Sequence, residues 1–148
     1  MHNLAKSTKA IVVSAGAAAG VTPIVCTPVD MSGFENVTFY AILGALTATQ
    51  LTSLKAQASL DNAATDPYSD IAGTNTGPAL DTDGGKLLLL DIHRPQKRYV
   101  QAVVNRATAN AVIQSVVAVL SSASNNAPTP DATVSAQKVL NSPTAGPA

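Results

Sequence analysis

From Leu54 to Leu60 the apolar residues Leu54, Ala56, Ala58 and Leu60 alternate strictly with Lys55, Gln57 and Ser59. Successive side chains of a strand point to opposite faces, so this run predicts a β-strand with one face in a core and one in water. Similar short runs recur along the chain. Val37–Leu43 is rich in β-branched and aromatic residues, with Val37, Phe39, Ala41 and Leu43 on one face, and ends at Gly44. Lys86–Ile92, a short window between a glycine pair and Pro95, reads as a buried strand in preference to a helix. In Arg98–Asn105, Val100, Ala102 and Val104 alternate with Tyr99, Gln101 and Asn105, and Pro95–Lys97 makes a hairpin-length connection before it. Ala111–Leu120 reads as a long strand with Ile113, Val117 and Val119 inward. Shorter candidates lie at Ala10–Val13, Val21–Val25 and Tyr68–Ile71. Residues 61–85 are otherwise dominated by Asp, Asn, Thr, Gly and Pro, the chemistry of turns. Six to eight short, turn-bounded strands predict an all-β fold, an antiparallel β-sandwich or barrel.

The same pass divides the chain into an N-terminal arm with the first strands (residues 1–27), a β-sandwich domain (28–121) and a Pro-rich C-terminal arm (122–148). Inside the last, Thr129–Pro130–Asp131 offers an N-cap, a proline at the first helical position and an acid in the first turn, so a short helix is expected over 130–140. Residues 1–19 carry Lys6 and Lys9 ahead of an apolar run, as a signal peptide would. The run is short and dilutes into Ser14, Gly16 and alanines, so it reads as part of the fold. No apolar stretch is long enough for a membrane-spanning helix, and a soluble protein is expected.

Composition narrows the function. Of 148 residues only 12% are charged, against about 25% in an average soluble protein, and the formal net charge is zero. Such a surface has little mutual repulsion and suits a chain packed against neighbours. A balanced charge argues against a nucleic-acid binder. The single cysteine, Cys26, precludes an internal disulfide or a Cys-cluster zinc site and reads as a small buried apolar residue. Asp81–Gly84 has the start of a calcium loop without its late bidentate Glu, so the aspartates of residues 61–83 read as turn-formers. His2 and His93 form no constellation with a nucleophile, and there is no phosphate-binding glycine loop or nucleophile elbow. No catalysis, cofactor or metal is expected. The densest charged stretch is His93–Arg94–Pro95–Gln96–Lys97–Arg98, with Arg106 farther along. Arginine forks at a turn anchor carboxylates of a neighbouring subunit well, so Arg94, Lys97, Arg98 and Arg106 are candidate subunit contacts. Val134 and Leu140 join them as docking residues of the expected C-terminal helix.

The order of segments adds to this reading. Gly33–Phe39 through Gly44, Leu54–Asn62 through Tyr68–Ile71, Lys97–Val104, and Ala111–Leu120 together resemble a group of small structural proteins of tailed bacteriophages. The resemblance covers roughly residues 28–121, and the loop from Asp61 to Gly85 is long by comparison. It implies a non-enzymatic, β-sandwich virion protein, made in the host cytoplasm and homo-oligomeric, whose partners are the major capsid protein or other virion subunits. The first expectation is a capsid decoration, or cement, protein on the capsid surface. The alternative is a head–tail connector, neck or tail subunit, and the third a carbohydrate- or host-binding β-sandwich module. Neither membrane nor direct nucleic-acid contact is expected.

Overall fold

A computed structural model describes residues 4–123 and 129–137. A single helical turn, α1 (Leu4–Ser7), precedes ten strands: β1 (Lys9–Ser14), β2 (Ala17–Gly20), β3 (Ile24–Val25), β4 (Val29–Asp30), β5 (Asn36–Leu46), β6 (Leu51–Ser59), β7 (Ser69–Asp70), β8 (Leu87–His93), β9 (Tyr99–Ala107) and β10 (Ala111–Ser121). They form two five-stranded antiparallel sheets that face each other as a sandwich rather than closing into a barrel. The first runs β1-β10-β5-β8, with β2 also on β10; the second runs β3-β9-β6-β7, with β4 also on β9. β1 and β2 occupy successive stretches of the same side of β10, and β3 and β4 do so on β9. The N-terminal thirty residues therefore edge both sheets, and the Thr27 amide donates to the Val13 carbonyl between the two edges at 2.9 Å. No helix among the described residues is long and apolar enough to cross a membrane.

The core lies between the sheets. Val37, Phe39, Ala41 and Leu43 of β5 face Leu54, Ala56 and Ala58 of β6 and Val100, Ala102 and Val104 of β9, all buried. The period-two reading holds residue by residue along Val37–Leu43. At the end of β6, however, Ser59, expected in water, is buried while Leu60, expected inward, is 58% exposed. In β9 the intervening Gln101 and Val103 are buried as well. In β10 the period slips. The register with β5 shifts between Ile113 and Ser115, a β-bulge that adds one residue and reverses the phase beyond it. Ala111, Ile113, Val116, Ala118 and Leu120 are thus buried, while Val117 and Val119, expected inward, lie on the outer face. Gly16 sits opposite this bulge with φ +93°, and a Cβ there would lie 2.2 Å from the Gln114 carbonyl oxygen. Only glycine fits so close a backbone approach in that conformation.

β8 corrects a second expectation. It is an edge strand with one face open. Leu90 and Ile92 point into the core, but Leu87 and Leu89 remain 50% and 48% exposed. A run of four leucines carries no visible alternation, so sequence pattern alone could not separate an edge from a centre here. The helix expected over 130–140 is also absent from its described part. Asp131 spends its carboxylate on the Thr133 amide and hydroxyl, and the Val134 amide closes a tight turn onto the Asp131 carbonyl. That local turn competes with helix initiation. Residues 138–140 of the expected helix lie outside the described residues.

Candidate subunit-contact surface

The loops after β4 (31–35), β6 (60–68) and β8 (94–98) meet at one end of the sandwich and bring together three of the predicted contact residues. The geometry differs from a free basic tip, because each cation is already held by an acid of this chain. Arg94, in the left-handed region at φ +50°, donates its amide to the Glu35 carbonyl at 2.7 Å and its guanidinium to the Glu35 carboxylate at 3.0 Å. The Lys97 ammonium reaches both carboxylate oxygens of Asp66, at 2.8 and 3.1 Å, and the Ser69 hydroxyl. Arg98 forks onto both oxygens of Asp30, at 2.9 and 2.7 Å, and stacks 5.1 Å from the centre of the Tyr99 ring.

The acids answer electrostatically. The Lys97 hydrogen bond, helped by the Leu60 amide, holds Asp66 below the usual carboxylate range. The Arg98 bond does the same for Asp30, and Asp30 in turn raises the already high pKa of Arg98. Asp61, bonded by the Thr65 hydroxyl and by the amides of Asp66, Thr65 and Ala64, is lowered to about 2. These bonds follow the side-chain-to-backbone logic of turn residues. His93 and Asn36 join the same end through an Nδ1–Oδ1 contact. Depressions of about 360 and 450 Å³ flank the 94–98 loop. The first is walled by Met31, Phe34 and Glu35, the second by Ala58, Ile71 and Ile92.

Arg106 corrects the prediction outright. It lies at the opposite end of the sandwich, 6% exposed, and its guanidinium donates to the carbonyls of Thr22, Ala18 and Ala111, each at 2.8 Å. It staples β9 of one sheet to β2 and β10 of the other and is not available to a partner. Val134 is turned toward its own chain as well, lining a small cavity with Ala5, Thr8 and Ala10. Nearby, Lys9 pairs with Asp131 at 3.2 Å, and the Thr133 hydroxyl accepts the Val12 amide at 3.0 Å. Leu140 lies outside the described residues.

Sequence reasoning missed the outer face of the first sheet. Val12, Val117, Tyr40 and Leu89 stand in one cross-strand row, and Ile42 and Leu87 pair in the next. Asp91, at the same parity as Leu87 and Leu89, is the signal that one side of β8 faces water.

No protein-family model matches this sequence, and a search of curated proteins finds no match. Among solved structures, the fold is similar to that of the SPBc2 prophage-derived protein YomS, with a TM-score of 0.48 and 14% sequence identity over 78% of this chain and 93% of that one.

Proposed function

We propose that the chain is a non-enzymatic structural subunit of a phage virion, and within the virion a capsid decoration protein that clamps neighbouring shell subunits. The observation that carries this reading is a charge-poor exterior with large apolar side chains left open on several sides at once. Val25 and Leu51 on the second sheet, Leu60 and Leu80 in loops at opposite ends, and Leu87 and Leu89 on β8 are each about half exposed or more. A molecule that diffuses alone seldom keeps apolar side chains open in every direction with so little charge between them, whereas one enclosed by several neighbours covers them. The internally neutralised tip agrees with this, since a surface without a dominant sign of charge can sit against unlike partners. Many copies of modest affinity then hold a shell by avidity. The phage setting rests on the sequence resemblance over residues 28–121.

Antibody labelling of purified virions with electron microscopy tests the proposal. Copies dispersed over the shell are expected. A single ring at one vertex would move the protein to the connector, and particles without label would remove it from the virion altogether.

A further inference from the structure

Each sheet of an open sandwich ends in edge strands, whose unpaired amides and carbonyls can add a strand from another chain. Three of the four edges here carry a recognised guard. The β1–β2 edge is kinked by its bulge at Val12–Ser14, and the segment at 131–133 caps the Val12 amide. The β3–β4 edge is only two short strands, interrupted between Val25 and Val29 and flanked by Pro23 and Pro28. On the far side of β6, β7 is two residues long, and the loop beyond it lies along β6 through Thr76 and Ala79.

β8 has none of these devices. It is seven residues long, pairs in unbroken register with β5 over Leu87–His93, and contains no proline. Its one carboxylate, on Asp91, follows four leucines, and Lys86 stands just before the strand. At one end of this ladder the Leu43 amide donates to the Lys86 carbonyl, and at the other the Arg94 amide donates to the Glu35 carbonyl. Alternation along an antiparallel ladder then turns the amides and carbonyls of Leu88, Leu90 and Ile92 toward β5 and those of Leu87, Leu89 and Asp91 off the sheet. Among the described residues no backbone hydrogen bond outside the ladder reaches these last three.

We infer that the β8 edge is a self-association surface, occupied by β8 of a second copy running antiparallel about a two-fold axis. The strand is self-complementary in that arrangement. With Leu88 on the axis, Leu87 of each chain stands opposite Leu89 of the other, both members of each pair have outward amides and carbonyls, and the four exposed leucines close into one cluster on the outer face. Asp91 falls opposite Gly85, so no like charges meet. The first sheet then runs on through both copies, and the apolar row of Val12, Val117, Tyr40 and Leu89 continues across the axis. A second copy is the occupant this geometry favours, because an isologous contact makes every bond and every leucine pair twice. The inference does not depend on where in a virion the protein resides.

Analytical ultracentrifugation of the full chain over a dilution series tests it, with two variants. Leu89→Pro removes an amide that the β5 ladder does not use, as proline permits on an outward-facing edge position. Leu87→Lys with Leu89→Lys places charge in the centre of the proposed cluster. The wild type is expected to dimerise, and each variant to keep its β-rich circular dichroism while its dimer dissociation constant rises at least about tenfold. If Leu89→Pro does not fold, the double lysine variant decides. A wild-type chain that stays monomeric at every concentration overturns the inference and leaves the edge to a strand from a different protein. Folded variants that dimerise as tightly as the wild type overturn it too.

Discussion

At the scale of single residues, Gly16 sets how closely the β1–β2 connection lies on β10, and Arg106 ties one sheet to the other. Gly16 faces the β10 bulge, where a Cβ would sit 2.3 Å from the Ile113 carbonyl oxygen and closer still to that of Gln114. Backbone atoms on both sides cannot step back, and the positive φ adds its own strain. Gly16→Ala should therefore cost about 2–4 kcal/mol, read from the midpoint of urea unfolding at unchanged slope. Arg106 has three carbonyl acceptors and no carboxylate partner among the described residues. Its replacement by Met keeps the bulk but leaves those carbonyls without their donor. The expected loss is about 3 kcal/mol, with Arg106→Lys recovering only part of it because an ammonium lacks the planar fork. Both effects would be invisible in a residue-by-residue reading of the sequence. Gly16 is one small residue in a run of alanines, and Arg106 reads there as one more surface cation.

At the scale of elements, β5 and most of β6 were legible because each buries alternate residues and keeps the others polar or half-exposed. The strand β9 was legible through Val100, Ala102 and Val104, although Gln101 and Val103 on its other face are buried too. Phe39, Ala56 and Val104 are where alternation puts them. What pattern could not reveal was whatever breaks the period or lies beyond it. The bulge after Ile113 reverses the facing of Val117 and Val119, the uniform leucines of β8 conceal an edge, and β2 and β4 are too short to show any period. The contact set was legible only in part. The sequence marks Arg94, Lys97 and Arg98 as a cluster, yet the acids that neutralise them come from β4, the loop after it and the β6–β7 loop, and nothing local announces Glu35, Asp66 and Asp30 as their partners. Six aspartates have a titration signature. The carboxyls of Asp30, Asp61, Asp66, Asp70, Asp83 and Asp131 are all lowered in the folded state, each by hydrogen bonds to amides, hydroxyls, side-chain amides or cations. A depressed carboxyl stabilises the fold above its unfolded value, near about pH 4, and that contribution is lost as pH falls through the folded value. The melting temperature should hold level through neutral pH and fall from about pH 4 toward the Asp61 value of about 2. Asp61→Asn should flatten the lower part of that descent, and a midpoint that rises on acidification would contradict the assignment. High salt should change the profile only modestly, since exposed pairs such as Arg94–Glu35 contribute little to begin with.

At the scale of the whole molecule, the core includes one chemical reporter. Cys26 is 2% exposed between the two sheets' N-terminal edges, and burial pushes its thiol up to about 12. Thiolate is the reactive form, so a maleimide added to the native protein at neutral pH should leave Cys26 unlabelled while labelling the urea-unfolded chain at once. Rapid native labelling would mean that the β3–β4 edge opens without global unfolding. That edge has another consequence, which concerns time. The strands β1 to β4 are made before the strands they pair with, which lie far along the chain: Lys9 pairs with Leu120, and Ile24 with Val104. Neither sheet can be completed until almost the entire domain has been synthesised. Until then β1 to β4 have no lane to occupy, and contacts so distant in sequence make for slow closure even afterwards. Assembly of the sandwich is thereby tied to the synthesis of β10. A stalled or truncated product lacking β10 would leave β1 and β2 with nothing to pair against, so incomplete chains are excluded from a sandwich by the order in which its strands are made.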